Sequence, residues 1–140
     1  MDLVAADSQG RNTLSIQVNT SRNAYRVNRH GKEGHEWAVR AGAIGKHDPN
    51  LWYALVDLRE SESGFDPVVF IVPSLWVGDF LNPEFSRKIY FLPTTADELA
   101  EERWDHLQRF LEGDREIREF AATWPEDRLV RWGKPSTEQD

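Results

Sequence analysis

Asp2-Leu3-Val4-Ala5-Ala6-Asp7 and Leu14-Ser15-Ile16-Gln17-Val18-Asn19-Thr20 are two strand-like segments separated by the polar stretch Ser8-Gln9-Gly10-Arg11-Asn12. The second segment alternates Leu14, Ile16 and Val18 with Ser15, Gln17 and Asn19, the period-two pattern of a half-buried strand. The polar stretch reverses the chain, so the two segments are expected to pair as an antiparallel hairpin. Gln17 and Asn19 then share one face, and Asp2 lies across from the far end of their strand. Three polar side chains can converge there.

Outward from this hairpin the chain becomes basic and turn-rich from Ser21 to Lys32, with Ala24–Asn28 a short strand or an extended loop. Trp37, Ala41 and Ile44 fall at i, i+4 and i+7, which predicts a short helix over residues 34–44 stopped by Gly45. His47-Asp48-Pro49-Asn50 reads as a turn. Leu51–Leu58 is apolar at nearly every position, as a strand covered on both faces must be. Val68–Val72 is a second apolar strand, ended by Pro73. Ser74 is expected to cap a short helix carrying Leu75, Trp76, Phe80 and Leu81, and Lys88–Leu92 reads as a last strand or an extended connector.

Two helices are expected beyond it. Thr95 and Glu98 form a capping box for a helix to about Glu112, with the stripe Leu99, Arg103, Leu107, Phe110 and Leu111 and with Trp104 at its edge. Gly113 stops it. Asp114 caps the next helix, which turns Ile117, Phe120, Ala121 and Trp124 inward before Pro125. The fold class is therefore α+β or α/β: one small mixed β-sheet flanked by helices. Residues 1–140 read as a single domain, with a sheet core over about 2–92, C-terminal helices over about 95–125 and a frayed tail over about 134–140.

Composition narrows the function classes. The 140 residues include six Trp, seven Phe and three Tyr, enough bulky material for a real core. There is no cysteine, which excludes disulfides and thiolate metal sites. No apolar run approaches a membrane span, and no basic, apolar leader opens the chain, so a cytoplasmic protein is expected. The net charge of −7 opposes non-specific binding of nucleic acid, yet the charge is uneven. Residues 1–50 carry seven Lys/Arg against five Asp/Glu, and the rest of the chain carries ten against nineteen. Between Arg22 and Lys46, six basic residues face only Glu33 and Glu36. The positive charge follows directly on the polar trio.

An acid on one strand and amide or carboxylate oxygens on the next can hold Mg²⁺, a hard ion that takes oxygen ligands. Asp2-Leu3-Val4, the turn at Gly10 and Ile16-Gln17-Val18-Asn19-Thr20-Ser21 resemble the core of the PD-(D/E)xK (restriction-endonuclease-like) nuclease superfamily. The likeness is closest to small uncharacterised bacterial members in which the second acid is Gln and the strand reads Q-V-K-T. Asn50–Leu58, Phe70-Ile71-Val72-Pro73-Ser74 and Glu102-Arg103-Trp104-Asp105 extend the resemblance over roughly residues 2–110. Each motif is short and degenerate; the order of the set raises the specificity above that of any one motif.

The resemblance implies a restriction-endonuclease-like core lacking the family's N-terminal helix and edge strand. It implies Asp2 as the metal acid, Gln17 as the second ligand position and the Val18 carbonyl as a third. Asn19 falls where the family has its catalytic lysine and carries no charge with which to stabilise an attacked phosphate. Two function readings follow. One is a Mg²⁺-dependent DNA endonuclease; the other is a degenerate member that binds nucleic acid or a protein without chemistry. The plainer alternative for the trio is the solvent face of an ordinary hairpin.

Arg22, Arg26, Arg29 and Lys32 are the candidate phosphate contacts, with Tyr25 and Trp37 interleaved for base stacking. The bland reading is a solvated loop. Arg22 and Lys32 are also the nearest cations that could replace the missing lysine. His30, His35, His47 and His106 lack metal-ligand spacing, and Asp57 inside an apolar strand reads as structural. A sheet short of an edge strand leaves backbone open, so a homodimer is expected. No small-molecule cofactor is indicated.

Overall fold

A computed structural model describes residues 2–27, 33–38, 48–80, 88–91 and 99–123. The strands are β1 (Asp2–Ala6), β2 (Thr13–Ser21), β3 (Tyr25–Val27), β4 (Glu33–Ala38), β5 (Leu51–Asp57), β6 (Val68–Pro73) and β7 (Lys88–Phe91). The helices are α1 (Ser74–Phe80), α2 (Trp104–Leu111) and α3 (Arg115–Ala121). The protein is a small mixed α+β fold. Its main sheet has the order β1-β2-β5-β6, and a second sheet has the order β3-β4-β7. Among the described residues, no helix is long and apolar enough to cross a membrane.

The main sheet is mixed for a reason visible in its connections. β1 and β2 pair antiparallel through the short polar turn, in which Gly10 adopts φ 68° and Asp7 N–H donates to the Asn12 carbonyl. β2 and β5 run parallel, which demands a long crossover, here residues 22–50. β5 and β6 return to an antiparallel pair. β5 is buried along nearly its whole length, as its unbroken apolar run requires.

Each face of this sheet has its own cover. On one face Leu14 and Ile16 of β2, Trp52 and Ala54 of β5 and Ile71 of β6 pack against Leu107 and Phe110 of α2 and Ile117 of α3. On the other, Tyr53, Leu55, Phe70 and Val72 pack against Trp37 of β4 and Trp76 of α1. The Trp37 ring centroid lies 5.1 Å from that of Phe70, and its indole N–H donates to the Val56 carbonyl at 2.9 Å. The second sheet is thereby fixed on the first. Fully burying a side chain of this size contributes about 2–3 kcal/mol, so Trp37 and Trp52 are principal anchors of the two layers.

Local polar contacts hold the pieces in place. Buried Asp57 accepts the Ala24 N–H at 3.1 Å and the Arg59 N–H at 3.0 Å through one oxygen, Oδ1, fastening the β2–β3 connection to the end of β5. The Asn12 amide donates to the Leu111 carbonyl at 2.9 Å, tying the hairpin turn to the end of α2. Asp114 caps α3 by accepting the N–H groups of Glu116 and Ile117, as its position before the helix predicts.

Three sequence expectations are corrected. Glu33–Ala38 is a strand, not the start of a helix: His35 and Trp37, two residues apart, both pack on Phe70, so a period of two prevails over the helical spacing of Trp37, Ala41 and Ile44. Residues 39–47, where that helix was to continue, lie outside the described residues. The single helix expected from Thr95 to about Glu112 is interrupted at residues 101–103, where Glu101 bridges to Phe70 and Glu102 turns the chain at φ 51°, and α2 begins at Trp104. Thr95 and Glu98 lie outside the described residues. Ser74 is the first residue of α1, and its hydroxyl donates to the Asp48 carbonyl at 2.6 Å instead of accepting from the helix as a cap.

Candidate functional site

The hairpin register sets Asp2 directly opposite Gln17, the last β1–β2 pair among the described residues. Beyond it, Val18 to Ser21 pair only with β5 among the described residues. Among the described residues, β2 backbone groups pointing away from β5 there have no strand partner. Gln17 and Asn19 share a face with Tyr53 and Leu55, their neighbours on β5. This is the face covered by the second sheet, so both side chains are half-buried rather than turned to open solvent.

Asn19 is held by that cover. Its amide nitrogen donates to the Ala38 carbonyl at the end of β4, at 3.1 Å. Its side-chain oxygen is enclosed and has no hydrogen-bond partner among the described residues. An enclosed amide oxygen without a partner costs about 1–3 kcal/mol, so water or an ion beside it is favoured. An aspartate at the position across from Gln17, the Gln17 amide and the Val18 backbone carbonyl are oxygen donors by residue type. That chemistry suits Mg²⁺, which is held by one or two carboxylates with water completing its shell. It does not suit zinc, which takes thiolate and imidazole. Among the described residues no three His, Asp or Glu side chains gather into a metal site.

The basic stretch is described only in part, since Arg29 and Lys32 lie outside the described residues. Arg22 follows β2 directly and pairs with Glu60 at 3.6 Å, with its side chain 81% exposed. An ion pair that exposed contributes well under about 1 kcal/mol, so a phosphate can displace it. Arg26 turns its guanidinium back onto the Asn23 and Tyr25 carbonyls. The hairpin therefore brings Asp2, Gln17 and Asn19 to one end of β2. Neither described arginine is bonded to that group.

Of the histidines, His35 packs between Tyr25, Trp37 and Phe70. His106 is buried in α2 against Phe120 and Trp52, with ring centroids 4.8 and 6.3 Å away. Burial, with the Arg103 charge adding to it, lowers its pKa to about 4. Its Nδ1 has no hydrogen-bond partner among the described residues. His30 and His47 lie outside the described residues.

A second polar feature escaped the sequence reading. A cleft of about 240 Å³ opens where β5 begins and β6 passes into α1, with Arg118 of α3 on its wall. Its lining comes from segments far apart in the chain, so no local motif signals it. Comparison of the chain with protein-family models, with curated proteins and with solved structures finds no match in any of the three.

Proposed function

We propose that this chain is a nuclease-fold protein that engages DNA at the open end of the β1–β2 hairpin and in which Mg²⁺-dependent cleavage is crippled at position 19. The observation that carries the reading is the pairing of Asp2 with Gln17, with Asn19 two residues further on the same face as Gln17. This is the acid, amide and third-position spacing of the PD-(D/E)xK resemblance. Asp2, Gln17 and the Val18 carbonyl hold the metal in this account. The ion, when bound, supplies Lewis-acid stabilisation of the attacked phosphate and lowers the pKa of an attacking water. Gln17 and Asn19 position the scissile group, and Arg22, Arg26, Arg29 and Lys32 neutralise the flanking phosphates.

The degenerate form is favoured over the fully active one by a specific contact. The Asn19 side chain is neutral and its only donor group is bonded to Ala38. Losing one such electrostatic stabiliser costs about 10²–10³-fold in rate. The same reading includes a homodimer. Among the described residues β1 has one strand neighbour in the main sheet, and Leu3 and Val4 on it are exposed, so a second copy can pair along this edge.

Fluorescence anisotropy of a short labelled duplex, with and without Mg²⁺, tests the binding half. The expected result is binding at low salt that falls steeply as salt rises, weakened by Arg22→Ala combined with Arg26→Ala. Absence of binding at low salt, or binding insensitive to salt, removes the reading.

A further inference from the structure

We propose that the cleft between β5, the β6–α1 junction and α3 binds a small carboxylate with an apolar body, held by Arg118. Its apolar walls include Leu51, Pro73, Leu75, Phe110 and Ala121, all of them half-buried or buried. A volume of about 240 Å³ lies just below the range of drug-sized sites. It fits a ligand of roughly ten non-hydrogen atoms.

Three polar side chains reach the cleft, and two are occupied. Ser74 gives its hydroxyl proton to the Asp48 carbonyl at 2.6 Å. The Asp48 carboxylate accepts the Asn50 N–H at 2.9 Å and is exposed. Arg118 is different. One terminal nitrogen donates to the Phe110 carbonyl at 2.9 Å, and the guanidinium carbon sits 4.2 Å from the centroid of the Phe110 ring. These two contacts fix the plane of the guanidinium and leave its other N–H donors without a partner among the described residues.

A half-buried, oriented guanidinium with spare donors matches a carboxylate, whose two oxygens accept the planar fork together. The neighbouring walls match a hydrocarbon group. An apolar pocket with one fixed polar anchor has the composition of a small-molecule site. The cleft is separate from the hairpin: its residues come from the opposite end of the β2–β5 ladder, where Ser15 faces Leu51, whereas Asn19 faces Leu55. Its occupancy is independent of any reading of Asp2, Gln17 and Asn19.

An NMR titration of the full chain with phenylacetate and with phenylacetamide tests the proposal, since the two differ in charge and hardly in size. The account expects phenylacetate to bind with a Kd on the order of 1 mM, as suits so small a ligand. Its amide shifts should cluster at Leu51, Leu75, Phe110 and Ala121, and phenylacetamide should bind about tenfold more weakly or less. Arg118→Gln should reduce the acid to the level of the amide, and Ala121→Leu, which fills the cleft from one turn further along α3, should abolish both. Equal binding of acid and amide, shifts that map elsewhere, or no binding at about 10 mM, well above the expected constant, overturns it. Should Arg118→Gln fail to fold, the acid–amide comparison and Ala121→Leu still decide the outcome.

Discussion

Lowering the pH should destabilise this fold through His106, and the size of the effect follows from its surroundings. The imidazole is 3% exposed and packs against Phe120 and Trp52. The charged groups acting on it are Arg103, Asp105 and Arg109; burial and the two arginines disfavour its protonation, and Asp105 opposes them. Its pKa falls from 6.5 to about 4 in the folded state. The unfolded chain therefore binds the proton first as pH drops. Stability from neutral His106 is complete above pH 6.5 and is lost progressively as pH falls toward 4.

With 1.36 kcal/mol per pKa unit, the loss reaches about 1.4 kcal/mol at pH 5.5 and about 2.5 kcal/mol at pH 4.5. Since Nδ1 makes no hydrogen bond among the described residues, His106→Phe leaves no donor or acceptor stranded by its removal. Urea unfolding of wild type and His106→Phe between pH 7 and pH 4.5 measures the difference directly. Carboxylates such as Asp105 and Asp114 titrate in both proteins and largely cancel. The variant should gain on the wild type by about 2.5 kcal/mol across that range, most steeply below pH 6. Parallel stability curves for the two proteins would refute the burial argument.

Other perturbations probe other parts of the account. Asp57→Ala strands the Ala24 and Arg59 N–H groups and should cost about 2–4 kcal/mol in urea unfolding, with Asp57→Asn, which keeps an acceptor, milder. The Glu102 carboxylate accepts the Val69 N–H at 2.6 Å and the Trp104 indole N–H at 3.0 Å, so Glu102→Ala should lower hydrogen-exchange protection of the Val69 amide and cost about 1–2 kcal/mol. The Arg109–Asp114 pair is a surface contact at 2.8 Å, and Arg109→Ala should lower the urea midpoint only slightly, with the difference shrinking in high salt. For the proposed dimer, sedimentation equilibrium should give twice the chain mass, and Val4→Lys on the exposed β1 edge should return a monomer; a wild-type monomer at high concentration counts against it.

Elements whose local pattern and tertiary environment agree were legible in the sequence. β5 and β6 read as buried strands because their apolar runs are continuous and their neighbours cover both faces. The hairpin read correctly because Leu14 and Ile16 alternate with polar residues and Gly10 supplies the turn. The cap at Asp114 acts on its own next turn, so distance in the chain hides nothing.

What was hidden depends on partners far along the chain. β4 carries Gly34, His35 and Glu36, which give no strand signal until Phe70 is in place beneath His35 and Trp37. α2 begins at Trp104 because Glu101 bridges to Phe70 and Glu102 turns the chain, neither of which the helical stripe signals. His106 shows in the sequence only as a histidine without metal-ligand spacing, and its packing against Phe120 is set by the fold. At the candidate site, the spacing of Gln17 and Asn19 and the pairing with Asp2 were visible. The cover that β4 places over Asn19, through the Ala38 carbonyl, was not. The Arg118 cleft draws on residues from Asp48 to Ala122 and has no local signature.

The proposal put most at risk is that the β1–β2 hairpin is a Mg²⁺-dependent phosphodiesterase centre with Asn19 in place of its lysine. The most direct measurement is cleavage of supercoiled DNA with Mg²⁺ by wild type, by Asn19→Lys and by Asn19→Lys combined with Asp2→Ala. The account predicts negligible cutting by the wild type, a gain of about 10²-fold in Asn19→Lys, and loss of that gain when Asp2 is removed. A folded Asn19→Lys protein with no gain, or a gain that survives Asp2→Ala, would contradict it.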